Sequence, residues 1–215
     1  MKKIKLREPV NSITHLAGAV LFFIGTIVLL TQRILVEASL KSIIGALIFG
    51  ISLILLYLAS GIYHGYNGSE KGIRRLKKLD HSMIYVLIAG SYTPMCLSVL
   101  EGTQRNVVLI VIWSIALFGI LSKVFINNMP RVLYTFFYLF MGWMVMFFIG
   151  DVYRNVDFTG FMLLLGGGIL YSIGGFIYMV KKPNLSDSLG FHELFHLFIL
   201  GGSLMHYFFT FFYLA

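Results

Sequence analysis

The sequence predicts an all-α protein, a polytopic bundle of seven transmembrane helices, and three observations carry that prediction. Hydrophobic residues make up 58% of the 215 and charged residues only 12%. Mean hydropathy is +0.86, far above the range of soluble globular chains. Apolar stretches recur at the ~20 residues a helix needs to cross a bilayer, over 13–31, 42–63, 83–100, 106–126, 132–150, 158–180 and 192–214. The segments between them leave no room for a soluble domain, so residues 1–215 read as one seven-helix domain.

The charge pattern sets an expected orientation. Of the seventeen basic residues, Lys2, Lys3, Lys5, Arg7, Lys71, Arg74, Arg75, Lys77, Lys78, Lys123, Arg131, Lys181 and Lys182 fall on one side of the seven spans, and Arg33, Lys41, Arg105 and Arg154 on the other. This bias predicts a cytoplasmic N-terminus and, with an odd number of spans, an extracytoplasmic C-terminus in the cell membrane. It also accounts for the net charge of +8 as topology and attraction to anionic headgroups, and it argues against a nucleic-acid face. The lone Cys96 lies inside a span, which excludes an intrachain disulfide. The basic start followed by an apolar run imitates a leader peptide, but Glu8, Asn11 and His15 are out of place in one, so the run is read as the first span.

In the first span Glu8, Asn11 and His15 form a polar stripe at the cytoplasmic end if the helix begins near Pro9. The stripe can supply supporting hydrogen bonds to a site; helix capping is its plainer use. The second span ends in Ser60-Gly61-Ile62-Tyr63-His64, with Ser60 one turn back on the face of His64. From Gly65 to Ser82 runs the longest hydrophilic stretch, where Ile73, Leu76 and Leu79 alternate with basic residues, a pattern that suits a short helix lying in the headgroup plane. Asp80 then opens the third span, where an isolated aspartate is ordinarily an N-cap, and Pro94 is expected to kink that span. Spans four and five carry no chemistry, with Trp113 and Trp143 read as packing or lipid-facing residues. The glycines from Gly166 to Gly175, with Gly201 and Gly202, predict close approach of the last two spans.

The last span begins His192-Glu193-Leu194-Phe195-His196, two imidazoles one turn apart on one helical face, the spacing that lets both ligate one ion. The topology brings His64, Asp80, His192 and His196 to one depth from three helices. Three neutral imidazoles and a water make the usual arrangement of a catalytic zinc, Zn2+, whose bound water has a pKa near ~7. Asp80 is then the candidate to accept the proton, and Ser60 to steady the water or an oxyanion. The plainer alternative is a structural tie between helix ends. A rival reading takes His192-Glu193-xx-His196 as the H-E-x-x-H of metalloproteases, with Glu193 as base. His206 lies about 20 Å deeper than His192 and cannot reach the same ion.

With these residues in hand the chain resembles a bacterial hemolysin III protein, within the wider progestin and adipoQ receptor family. The resemblance covers essentially the whole chain, through Glu8-Pro9-Val10-Asn11 to His15, Ser60-xxx-His64, Leu79-Asp80-His81 and His192-xxx-His196 with His206 after it. It implies a seven-helix bundle with a zinc at the cytoplasmic side held by His64, His192 and His196, and Asp80 near its water. It extends to alkaline ceramidases, which implies hydrolysis of a lipid amide with the acyl chain between the helices. A lipid-directed metallohydrolase in membrane lipid homeostasis is the first expectation. A non-enzymatic sensor or cytolytic pore with a structural zinc is the alternative.

Overall fold

The computed structural model describes residues 5–126, 129–186 and 188–214, which are helical apart from short connections. The helices are α1 (Pro9–Leu35), α2 (Leu40–Gly65), α3 (Glu70–Val99), α4 (Gly102–Phe125), α5 (Arg131–Trp143), α6 (Ile149–Asn155), α7 (Phe158–Val180) and α8 (Phe191–Tyr213). A 3₁₀ turn, Met144–Phe148, joins α5 to α6. Taking Arg131–Asn155 as one element, seven helices among the described residues are long and apolar enough to span a membrane. Lys2 and Lys3, counted in the charge balance above, lie outside the described residues.

Local chemistry starts these helices where the sequence permits. Pro9 opens α1, where its missing N–H costs nothing. The side chains of Ser39, Ser69 and Asp157 accept hydrogen bonds from the N–H groups of Ser42, Gly72 and Gly160 at 3.2, 3.2 and 2.8 Å, which satisfies donors that a first turn leaves free.

Two expectations are corrected. The basic stretch before the third span is not a separate helix in the headgroup plane: α3 runs unbroken from Glu70 to Val99. Ser69 is its cap, and Asp80 sits within the helix and is buried rather than capping its start. Within the fifth span the 3₁₀ turn Met144–Phe148 interrupts the α-helical ladder. Two backbone groups at this turn meet Tyr92 of α3, whose hydroxyl donates to the Gly142 carbonyl at 2.7 Å and accepts from the Val145 N–H at 2.7 Å. Backbone groups exposed at membrane depth must be satisfied within the protein, and Tyr92 does this for the break. Tyr92→Phe leaves the Val145 N–H unpaired and is expected to destabilise the fold by ~1–3 kcal/mol, measured as a lower Tm in detergent; an unchanged Tm would show that the break holds without this hydroxyl.

The interior divides in two. Phe22, Phe49, Leu53, Leu56 and Tyr57 pack where α1 and α2 meet α8, while Tyr85, Tyr92, Ile112, Tyr138 and Met141 fill the space among α3, α4 and α5. Large apolar side chains such as Phe23, Ile27, Phe118, Phe136 and Phe147 cover the outside, as a lipid solvent requires. The glycine seam between α7 and α8 is as expected: Gly167 lies against His206 and the Gly202 carbonyl, and Gly174 against Phe198. At the end of the bundle remote from His192, the fully buried Arg33 donates to the Thr210 carbonyl and at 3.4 Å to that of Phe211. It holds the last turn of α8 against α1.

Candidate metal centre

One end of the bundle gathers the start of α1, the end of α2, the start of α3 and the start of α8. His64 comes from the last turn of α2, and His192 and His196 from the first two turns of α8. Their ring centroids stand 5.0 Å (His64–His192), 4.7 Å (His64–His196) and 4.8 Å (His192–His196) apart. Each offers a nitrogen within 4.8 Å of the other two. Nitrogens around a tetrahedral zinc are about 3.3 Å apart by its bond lengths, a closure within reach of ring rotation.

The orientation of His64 is set from α1. Its Nδ1 lies 2.5 Å from Glu8 Oε2, and the Glu8 backbone N–H donates to the His64 carbonyl at 3.0 Å. The hydrogen bond from His64, offset in part by burial, and the nearby charge of Arg7 hold the Glu8 carboxyl down at about 2, so Glu8 is an anion that draws the ring proton to Nδ1. That leaves the lone pair on Nε2, which is buried and has no hydrogen-bond partner among the described residues. A carboxylate behind a histidine with its second nitrogen free is the arrangement that orients metal-binding imidazoles. By this observation the residues present fit a metal ion. Glu8→Gln, which weakens the acceptor, is expected to lower zinc affinity ~10–100-fold in a competition titration; equal affinity would show that Glu8 only packs.

The remaining predicted residues fall into distinct places. Asn11 donates to Glu193 Oε1 at 2.7 Å rather than to a histidine side chain. Glu193 Oε2 accepts from the Gly190 N–H at 3.0 Å. Both carboxylate oxygens of Glu193 are therefore engaged in starting α8 and tying it to α1, a geometry that favours a structural role over that of a base. His15 makes no hydrogen bond among the described residues; it stacks on His196 with centroids 3.7 Å apart. Asp80 and Ser60 are buried and both line the cavity that opens from this end.

Below this cluster a cavity runs between the helices toward the other end. Ser60, Asp80, His192 and His196 line its head, and Leu164, Phe209 and Thr210 its far part. Its wall is mostly apolar in between, and includes Trp143. Sequence reading treated Trp143 as a packing residue, yet its indole faces this space and donates to Ser172 at 2.9 Å. Also unforeseen is a phenol group beside the centre: Tyr178 meets His192 edge-on at 5.6 Å and shares a 3.0 Å hydrogen bond with Tyr134. The available signal was Tyr134 and Tyr138 at i and i+4 near the start of the fifth span. His206 lines the cavity and shares a 3.1 Å hydrogen bond with the Leu164 carbonyl of α7.

Comparison with known proteins agrees with this architecture. The haemolysin-III related family matches residues 4–207. The Hemolysin-3 homolog of Bacillus subtilis (strain 168) is 41% identical over 206 residues, covering 96% of this chain and 93% of its own. Hemolysin-3 of Bacillus cereus is 36% identical over 99% of this chain and 94% of its own. A more distant relative, the human monocyte to macrophage differentiation factor, is 27% identical over 77% of this chain and 68% of its own. With seven apolar helices and a family match over nearly its whole length, the chain is a multi-pass membrane protein that belongs to the haemolysin-III related family.

Proposed function

We propose that the protein is a zinc-dependent hydrolase of a lipid amide or ester, working at the cytoplasmic leaflet with the acyl chain in the cavity. The observation that carries this reading is Asp80: a buried carboxylate that lines, with His192 and His196, the head of an apolar cavity. A clamp between helix ends needs neither the carboxylate nor the cavity. Ionisable groups buried at membrane depth are costly and mark function.

His64, His192 and His196 would hold the ion, with Glu8 fixing the ring of His64. A zinc ion held there supplies a Lewis acid that brings the pKa of water toward ~7. Asp80 takes the proton from the water that attacks the linkage carbonyl and returns it to the departing amine or alcohol. Ser60, one turn from His64 and beside Asp80, holds the water or the carbonyl oxygen by a hydrogen bond. The apolar cavity wall excludes bulk water and aligns the chain, which fixes the linkage at the histidine end. Thirteen basic residues on the histidine side favour its facing the cytoplasm.

The name of the Bacillus cereus relative, Hemolysin-3, favours a second reading: a lytic or sensing membrane protein in which the same histidines clamp the helix ends. Purified protein incubated with ceramide separates the two. Release of fatty acid that disappears on chelation and returns with zinc is expected from a hydrolase, and no release with zinc bound is expected from a clamp. Glu193→Gln, whose single oxygen can still accept the capping bond from the Gly190 N–H while the contact with Asn11 is lost, is expected to retain activity within about tenfold, since the proton-transfer gain of ~10²–10⁴ belongs to Asp80. Loss of that full factor with zinc retained would move the base to Glu193.

A further inference from the structure

His15 is a buried polar group that neither the metal centre nor the packing of the bundle accounts for. It is 3% exposed. Its ring lies on that of His196, centroids 3.7 Å and planes 17° apart, and meets Tyr57 edge-on at 5.0 Å. These contacts fix the plane of the ring. Among the described residues neither ring nitrogen makes a hydrogen bond. Buried polar atoms in native proteins are nearly always paired, and an orphan calls for a partner that the chain itself does not provide. Metal binding does not supply it: the converging nitrogens belong to His64, His192 and His196, and His15 offers His196 its face. His15 does line the cavity head, with Ser60, Asp80 and His196.

We infer that His15 reads the ligand: its imidazole hydrogen-bonds the polar linkage of a lipid whose chain occupies the cavity. A neutral imidazole has one donor and one acceptor. Neither is paired among the described residues, and the acceptor can be met only by a donor. The group it selects is therefore a donor, the N–H of an amide or an O–H beside the linkage, which a simple ester lacks. A site with a buried acceptor discriminates against ligands that leave it unpaired. The inference rests on the proposed reading only in that the cavity holds a lipid; it does not depend on turnover.

The test compares wild type, His15→Phe and His15→Gln, each full length and with matching Tm. Affinity is measured for a fluorescent ceramide and for the methyl ester of the same fluorescent acyl chain, and zinc content is measured alongside. His15→Phe keeps the stack on His196 and removes the nitrogens. It is expected to weaken ceramide binding about tenfold, the size of one neutral hydrogen bond, with ester affinity and zinc content unchanged and part of the loss recovered in His15→Gln. Ceramide affinity unaltered in His15→Phe would overturn the inference in favour of packing, and loss of zinc would overturn it in favour of ligation. Wild type that binds neither probe defeats the lipid reading of the cavity and this inference together. Wild type that binds ceramide without cleaving it defeats the hydrolase alone, and the His15 comparison stands.

Discussion

Asp80→Asn is expected to lower turnover of a lipid amide by ~10²–10⁴, the range that a positioned proton acceptor supplies, with zinc content and lipid affinity retained. The amide is close in size to the carboxyl, so it fits the same buried place at the cavity head with Ser60, but it does not take a proton. The split between turnover and binding identifies the role. A residue that merely filled space would change Tm and affinity together, and one that supported the metal would change zinc content. Full activity in Asp80→Asn would remove the carboxylate from the chemistry.

His196→Ala has the second large effect, on stability as well as on metal content. His196 is buried and stacked against His15, and it joins α8 to the His64 end of α2. Any ion that binds only the folded chain stabilises it by mass action, about 4 kcal/mol when free zinc is a thousandfold above Kd. Wild type is therefore expected to lose Tm on chelation and regain it with zinc, while His196→Ala starts low and does not respond. A variant that still gains Tm with zinc would show that the ion binds elsewhere.

The seven spans were legible because lipid offers the backbone no partners: each polar main-chain group must be paired within the protein, which an apolar run of spanning length does most simply as a helix. The convergence of the three histidines was legible for a related reason. His192 and His196 share a face by spacing alone, and counting spans puts His64 at the same end.

What stayed hidden depends on a neighbour or on helix rotation. Met144–Phe148 is as apolar as its surroundings and contains no proline or glycine, so nothing within it announces a 3₁₀ turn; the break is secured by Tyr92 from another helix. The start of α3 was hidden for the opposite reason, since Lys71, Arg74, Arg75, Lys77 and Lys78 interrupt the apolar signal while leaving the helix intact. Glu193 carried a protease-like motif that became a capping residue once Asn11 and the Gly190 N–H were placed on its two oxygens. The flat stack of His15 on His196 follows from how α1 is turned about its axis, which no spacing in one sequence specifies.

The most direct measurement is the metal content of purified wild type beside His64→Ala and His192→Ala, whose residues lie on different helices and meet only through the fold. One zinc per chain in wild type, lost in each variant, is the predicted result. A chain that carries no metal after zinc loading, or one that keeps it when either histidine is removed, would contradict the account.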